Sequence, residues 1–499
     1  MKNVQKIMIG ATLAFCFVFT VCFGQSNADI DINIDDIRKS AEQGNAAAQN
    51  DLGNCYYHGA GVSKDEVEAV KWLRKSAEQG NAEGQYRLGS CYMLGRGVSK
   101  DEVEAVKWCR KSAEQGNADG QYRLGLCYMS GAGVSKDEVE AEKWFRKSAE
   151  QGNAKGQWKL GDCYQSGIGV SKDETEAVKW FRKSAEQGNA DGQWQLGVCY
   201  MLGMGVSKDG AEAVKWIRKS AEQGNANVQW QLGDCYMFST GVSKDEAEAV
   251  KWYRKSAEQG NANGQIQLGT CYMLGEGVSK DEAEAVKWFR KSAEQGNAEA
   301  QFRLSACYMA GIGVSKDETE AVKWLRKSAE QGDAGGQWRL GDCYAFGEGV
   351  SKDEAEAVKW FRKSAEQGNA NGQWRLGACY HSGMGVSKDE VEAVKWLRKS
   401  AEQGSAGGQW RLGDCYMSGI GVSKDETEAV KWYRKSAEQG NAEGQRWLGA
   451  CYYRGAGVSK DEDAALEWLK KAAEQGDKEA IELGNKIVKE QEERKRSQR

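Results

Sequence analysis

One text of 36 residues recurs twelve times in this chain, with copies starting at Ser40, Ser76, Ser112 and onward to Ser436. A half copy precedes them and a decaying copy follows. This period guides the organisation more strongly than the total length of 499 residues. Each unit is too short to bury a core alone, so stability must come from stacking on neighbours. The 62 glycines fall at fixed intervals and no proline occurs, which suits short helices joined by tight turns and argues against disordered low-complexity sequence. The formal net charge is −4, so there is no bulk basic bias and electrostatics lends no support to nucleic-acid binding.

The unit reads as two helices. Asn45 and its equivalents stand just before an Ala-x-x-Gln-x-x-Leu-Gly segment, where an N-cap belongs. The departures from Asn are Asp333, Ser405 and Asp477, all able to accept a first-turn N–H. The first helix, A, runs to about Tyr57, and Gly59 and Gly61 then supply a left-handed stop and a tight turn. Ser63-Lys64-Asp65-Glu66 has the spacing of a capping box opening the second helix, B. Gly210 replaces that Glu in the fifth copy, which marks the weakest helix start. Helix B carries Ala69, Trp72, Leu73 and Ala77 at helical spacing. Its other face holds Glu66, Glu68, Lys71, Arg74 and Lys75, read as a solvated surface with i,i+3 and i,i+4 pairs.

These residues, A-x-x-Q-x-x-L-G-x-C-Y-x-x-G-x-G-V-x-x-D-x-x-x-A-x-x-W-x-x-K-x-A-x-x-G, resemble the SEL-one-like repeat family, relatives of tetratricopeptide repeats with a slightly longer unit. The resemblance covers roughly residues 30 to 485. It implies an all-α fold: a right-handed α/α superhelical solenoid of about twelve helix-turn-helix repeats, with helix A on the concave surface. It also implies a non-catalytic scaffold that mediates protein–protein interaction.

The N-terminus differs in kind. Lys2 and Lys6 precede an apolar run from Ile7 to Phe23, and Ser26 and Ala28 stand at −3 and −1 of a cleavage site. That is the layout of a secretory signal peptide over residues 1–28, with an N-terminal membrane anchor facing outward as the alternative. The expected location is therefore periplasmic, cell-surface or secreted, and a membrane is a partner only if the segment stays uncleaved. Residues 29–39 form a half-repeat cap, with Ile30, Ile34, Ile37 and Ala41 on one helical face. The twelve repeats occupy 40–471. A degenerate last repeat and a charged tail fill 472–499, with the stretch from Lys489 to Arg499 read as a helix extension that frays.

Because the copies are nearly identical, the positions that differ between them are informative. They cluster on helix A, in the second copy at Glu83, Tyr86, Arg87, Ser90, Met93 and Leu94, which share one stripe. Ala82, Gln85, Leu88, Gly89 and Tyr92 hardly change and define the packed face. An aromatic ladder runs along the varied stripe through Tyr86, Tyr122, Trp158, Trp194, Trp230, Phe302, Trp338, Trp374 and Trp410, interrupted by Ile266. It reads either as inter-repeat packing or as an exposed platform for peptide or glycan. Beside it runs a polar ladder with basic ends and a neutral middle of Gln195, Gln231 and Gln267. Lys159, Arg339 and Arg411 each have an Asp three residues on (Asp162, Asp342, Asp414) and are read as neutralised. Arg87, Arg123, Arg303 and Arg375 have no such Asp and are the better candidates for acidic ligand groups.

Of 15 cysteines, Cys16 and Cys22 lie in the leader, twelve recur from Cys55 to Cys451, and Cys109 is extra. Equivalent residues of adjacent units are about 10 Å apart, beyond the ~7 Å reach of a disulfide, so these thiols read as small buried apolar groups. His58 and His381 are far apart, and neither has a metal-ligand set beside it. Ser-x-x-Lys, Gly-x-Ser-x-Gly and His-Glu-x-x-His are absent, and the Gly-x-Gly-Val turns end helices instead of following strands. The expectation is a protein with no catalytic, cofactor or metal residues that holds a protein or peptide on helix A. The alternative is an envelope glycan or peptidoglycan-fragment binder that uses the Trp ladder.

Overall fold

The computed structural model describes residues 34–497; the leader with Cys16 and Cys22, Ile30 and the last two residues lie outside them. Among the described residues there are 26 α-helices and no strand. The first helix pair is Ala46–His58 (A) and Glu66–Glu78 (B), and the second is Ala82–Leu94 and Glu102–Glu114. The pattern continues to a twelfth pair, Ala442–Arg454 and Glu462–Glu474. The helices divide into two compact units, one up to Gln223 and one from Gly224. The first contains a leading helix, Ile34–Glu42, and five pairs; the second contains seven pairs and a closing helix, Lys478–Ser497. In each unit every helix packs on its chain neighbours, as a solenoid requires. No helix among the described residues is long and apolar enough to cross a membrane.

The helix A caps are where the sequence places them. Asn45 accepts from the Ala48 N–H at 3.0 Å, and Asp477 from Ala480 at 2.9 Å. Asp333 and Ser405 do the same for Gly336 and Gly408. Gly59 ends the first helix A in the left-handed region at φ 75°. The helix B start differs from expectation. The cap is Asp65, not Ser63; its carboxylate accepts from the Glu68 N–H at 2.9 Å and the helix begins at Glu66. Asp65 wins because its own N–H donates to the Tyr56 carbonyl at 2.9 Å, holding the residue extended at the end of helix A. Gly210 is consequently the first helical residue behind an intact Asp209 cap, and its helix spans the same 13 residues as its neighbours.

Two glycine positions set how closely the elements approach. A Cβ on Gly89 would stand 2.7 Å from the Cys109 sulfur and 3.0 Å from the Ala105 carbonyl, so helices A and B meet almost backbone to backbone. At Gly97, φ is +66° and a Cβ would fall 1.8 Å from the Glu66 carbonyl of the preceding pair. The sixth pair breaks the turn pattern. Ser239, at φ 58°, holds the left-handed position elsewhere taken by glycine, and helix A is a residue shorter, Ala226–Met237.

The core is one ladder per repeat of Leu and Cys from helix A against Ala, Val and an aromatic or aliphatic residue from helix B. Leu88, Cys91, Val70, Leu73 and Ala77 illustrate it. Polar bonds cross the stack beside this core. Arg74, assigned above to the solvated face, instead reaches the Tyr92 hydroxyl of the next pair. The same bond recurs at Arg110–Tyr128 (2.7 Å) and Arg398–Tyr416 (2.7 Å). The closing helix is continuous to Ser497, and Arg494 is tied to Glu462 at 2.6 Å.

These contacts predict opposite outcomes at two turns. Gly97→Ala is expected to destabilise by roughly 2–4 kcal/mol, through backbone overlap and a left-handed φ. Ser239→Gly is expected to stabilise by about 1 kcal/mol, through relief of left-handed strain. Urea unfolding midpoints of the two variants against the parent chain check both.

Candidate functional site

The stripe that varies between copies is also the stripe left open. In the second helix A, Gln85, Leu88, Gly89 and Tyr92 are buried, whereas Glu83, Tyr86, Arg87, Ser90 and Met93 are half-buried and Leu94 is exposed. The aromatic ladder is intermediate throughout. Tyr86, Tyr122, Trp158, Trp194, Trp230, Phe302, Trp338, Trp374 and Trp410 are all half-buried. Ile266, the interruption, is buried. Several rings set one side against the core formed by their own helix B and the next helix A: Trp158 on the cluster of Phe181 and Leu196, Trp374 on that of Leu397 and Leu412, Trp410 on that of Tyr433 and Leu448. Packing and exposure are therefore two sides of the same ring.

The polar ladder departs from expectation. Lys159 pairs with Asp162 at 3.1 Å and Arg339 with Asp342 at 3.7 Å, as the i,i+3 spacing indicated. The cations expected to be freer have found other partners. Arg87 pairs with Glu83 at 2.9 Å and also bonds Asn54 on the preceding helix A. Arg303 pairs with Glu299 at 2.7 Å. Arg375 reaches back a whole repeat to Asp342 at 2.8 Å. Arg123 bonds the Tyr86 hydroxyl. The i−4 carboxylates were legible in the sequence; the partners 33 and 37 residues away appear only once the helices are stacked. Asp342 is nearly inaccessible, and burial raises its pKa against the pull of Arg375 and Arg339. Burial likewise lowers the Arg411 guanidinium, with Asp414 opposing.

Several of these cations also lie over the ladder rings. The guanidinium of Arg375 stands 4.3 Å from the Trp374 centroid, that of Arg411 is 4.0 Å from Trp410, and that of Arg339 is 5.2 Å from Trp338. Between the tenth and eleventh pairs the stripe opens into a cavity of about 570 Å³, within the size range of small-ligand sites. Its lining includes Asn371, Trp374, Arg375, Gly407, Trp410 and Arg411. Gly407 shapes it: a Cβ there would stand 3.0 Å from the Trp374 ring, so the indole lies directly over the glycine. The lining offers aromatic faces, amides and guanidinium edges, which is equipment for holding a ligand.

His58 and His381 both sit in the last turn of their helix A. No group of three or more His, Cys, Asp or Glu residues suited to a metal occurs among the described residues. The described cysteines are buried and unbridged.

A family model described as the Sel1 repeat matches twelve contiguous segments, from 46–81 and 82–117 through to 442–477. The chain belongs to the Sel1-repeat family. Proteins of this family act in general as protein-interaction scaffolds and are typically non-catalytic. Among solved structures, the chain is similar to a protective antigen present in uropathogenic Escherichia coli strains, at 38% identity and a TM-score of 0.70. The match covers 92% of this chain and 97% of that one. A Sel1 repeat protein from Oxalobacter formigenes matches at 33% identity and a TM-score of 0.46, over 62% of this chain and 90% of that one. Comparison with curated proteins returns no match.

Burial pushes the Cys91 thiol up to about 11 and Cys109 to about 12. A thiol at 11 is about one part in a thousand thiolate at pH 8. The native Sel1-repeat chain is therefore expected to resist Ellman's reagent at that pH, and the 13 described thiols to react together once it is unfolded in guanidinium. A thiol titration with and without denaturant checks this.

Proposed function

We propose that this Sel1-repeat chain is a non-catalytic scaffold, exported by its N-terminal segment, that binds a protein or peptide along the varied face of helix A. The observation that carries the reading is the coincidence of variation with exposure. On helix A, residues repeated from copy to copy are mostly those that cap, turn or pack, while the positions of Tyr86, Trp158, Trp374 and Trp410 change identity between copies and keep one side open. Large half-open aromatic rings, with guanidiniums stacked on several of them, are the side-chain types that anchor protein interfaces. Since the arginines already hold carboxylates, the face is close to charge-balanced along much of its length, and it suits a partner read by shape and hydrogen bonds more than by net charge.

The cavity between Trp374 and Trp410 favours one second reading: a saccharide unit of an envelope glycan set against the indoles. The experiment that separates the readings uses the immobilised chain as bait for an envelope extract, alongside quenching of tryptophan fluorescence by muropeptides. Replacing Trp374 and Trp410 together with Ala is expected to cut protein capture at least tenfold. The same pair of changes should cost less stability than Trp360→Ala in the buried face of helix B, which is expected to cost about 3–5 kcal/mol. Undiminished capture by the double variant would remove the helix A face as the binding surface. Quenching by muropeptides with no protein captured would instead support the saccharide reading. N-terminal sequencing of the chain recovered outside the cytoplasm tests export, with a start at Asp29 expected.

A further inference from the structure

Among the described residues no helix B follows the closing helix, Lys478–Ser497. Asp477 caps it just as Asn441 caps the helix A before it, so the two helices can be matched by counting from their caps. Ile481, Gly484, Asn485 and Val488 then stand where Gln445, Leu448, Gly449 and Tyr452 stand in Ala442–Arg454. There the following helix covers the face: Gln475 donates to Gln445 at 2.8 Å, and a Cβ on Gly449 would meet Leu469 at 2.8 Å. On the closing helix the same face is open. Ile481 and Val488 are each 43% exposed, and a Cβ on Gly484 would meet nothing within 4 Å.

The opposite face holds the helix rigidly in place. Ala480 and Ile487 are buried against the twelfth pair, and Tyr453 donates to Glu490 at 2.7 Å. Gln491 and Arg494 converge on Glu462 at 3.1 and 2.6 Å. The open strip is thus a fixed surface. Lys478, Glu482, Lys489 and Glu492 run along its flank, their charges reading plus, minus, plus, minus. Among the described residues no ion pair or side-chain hydrogen bond engages Lys478, Glu482 or Glu492, and Lys489 has only Glu493 at 4.0 Å.

That order decides the partner. Read backwards, the flank is minus, plus, minus, plus, the complement of itself. We propose that the strip docks on the same strip of a second copy, with the two helices antiparallel about a two-fold axis near Asn485. In such an isologous contact residue i faces j and j faces i. With Asn485 at the axis, Lys478 comes opposite Glu492 of the other copy and Glu482 opposite its Lys489, each pairing made twice. Ile481 comes beside Val488, and Gly484 lets the backbones approach. A parallel arrangement would set each flank charge against its like and is disfavoured. A face of one helix falls at the small end of interface sizes, below about 1,200 Å², so the dimer is reversible and concentration-dependent.

Sedimentation velocity of the purified chain over a wide concentration range tests this. A reversible monomer–dimer equilibrium is expected. Glu482→Lys should weaken it at least tenfold by placing Lys on Lys twice, and Lys489→Glu should do the same by placing Glu on Glu. Combining the two changes in one chain should restore dimerisation. Residues 482 and 489 are two helical turns apart and do not pair within one helix, so restoration reports a contact between copies. A chain that stays monomeric at every concentration overturns the proposal and leaves the strip to a different partner. A dimer indifferent to the single changes, or not recovered by the double one, also overturns it.

Discussion

The stack depends on one buried amide per repeat. Gln85 donates to the Ala77 carbonyl of the preceding helix B at 3.1 Å, and its oxygen accepts from the Gln115 amide that follows its own helix B, at 2.7 Å. Gln121 and Gln409 do the same in their repeats, each nearly inaccessible to water. A buried amide left without partners costs about 1–3 kcal/mol. Neighbouring helices consequently cannot slide or rotate past one another without breaking a bond that water cannot replace. Apolar packing alone would hold the helices together while leaving their register loose; the amide fixes it. Ser112, donating to the Ala82 carbonyl at 2.6 Å, fixes the two helices of one repeat in the same way.

What the sequence made legible follows from how local each signal is. Asn45 as a cap, Gly59 as a stop and the 36-residue period are encoded within a few residues or by repetition, and the structure reproduces them. Ser63 reads as opening the second cap because Glu66 stands three residues on, but Asp65 has Glu68 at the same spacing. The Tyr56 carbonyl decides between them, and that carbonyl arrives only when the turn closes. The Arg74–Tyr92 bond joins residues 18 apart in different repeats. Nothing in helical periodicity sets those two against each other, so Arg74 resembled any other charged residue of an outer face.

The candidate site shows the same boundary between local and stacked information. Variation between copies located the stripe, and exposure coincides with it. Charge along the stripe was misjudged for a physical reason: a cation on helix A has neighbours on the preceding helix A as well as on its own. Asp342 neutralises Arg375 from 33 residues away, and Asn54 engages Arg87 across the same interval. Counting charges along one helix therefore overstates how many are free. The aromatic ladder resists a choice between core and platform because the stripe lies at the edge of the core. Each ring there necessarily has one face against the next repeat and one toward solvent.

Variation along the stripe also changes shape, and the glycines show how. The second residue of helix A is Glu83 in one copy and Glu299 in another, where it pairs with the arginine one turn on. Its oxygen can also tie to the next cap, as Glu83 does with Asn117 at 3.0 Å. At Gly407 that side chain is missing. Arg411 loses the i−4 carboxylate, Trp374 leans over the bare backbone, and the cavity opens beside it. That one position thus bears on charge, contact and volume together, while the cap at Ser405 and the amide at Gln409 still hold the helix start and the register. A frame with a fixed register lets each repeat carry such a change without shifting the register of its neighbours, so twelve nearly identical units can present a face that differs along its length.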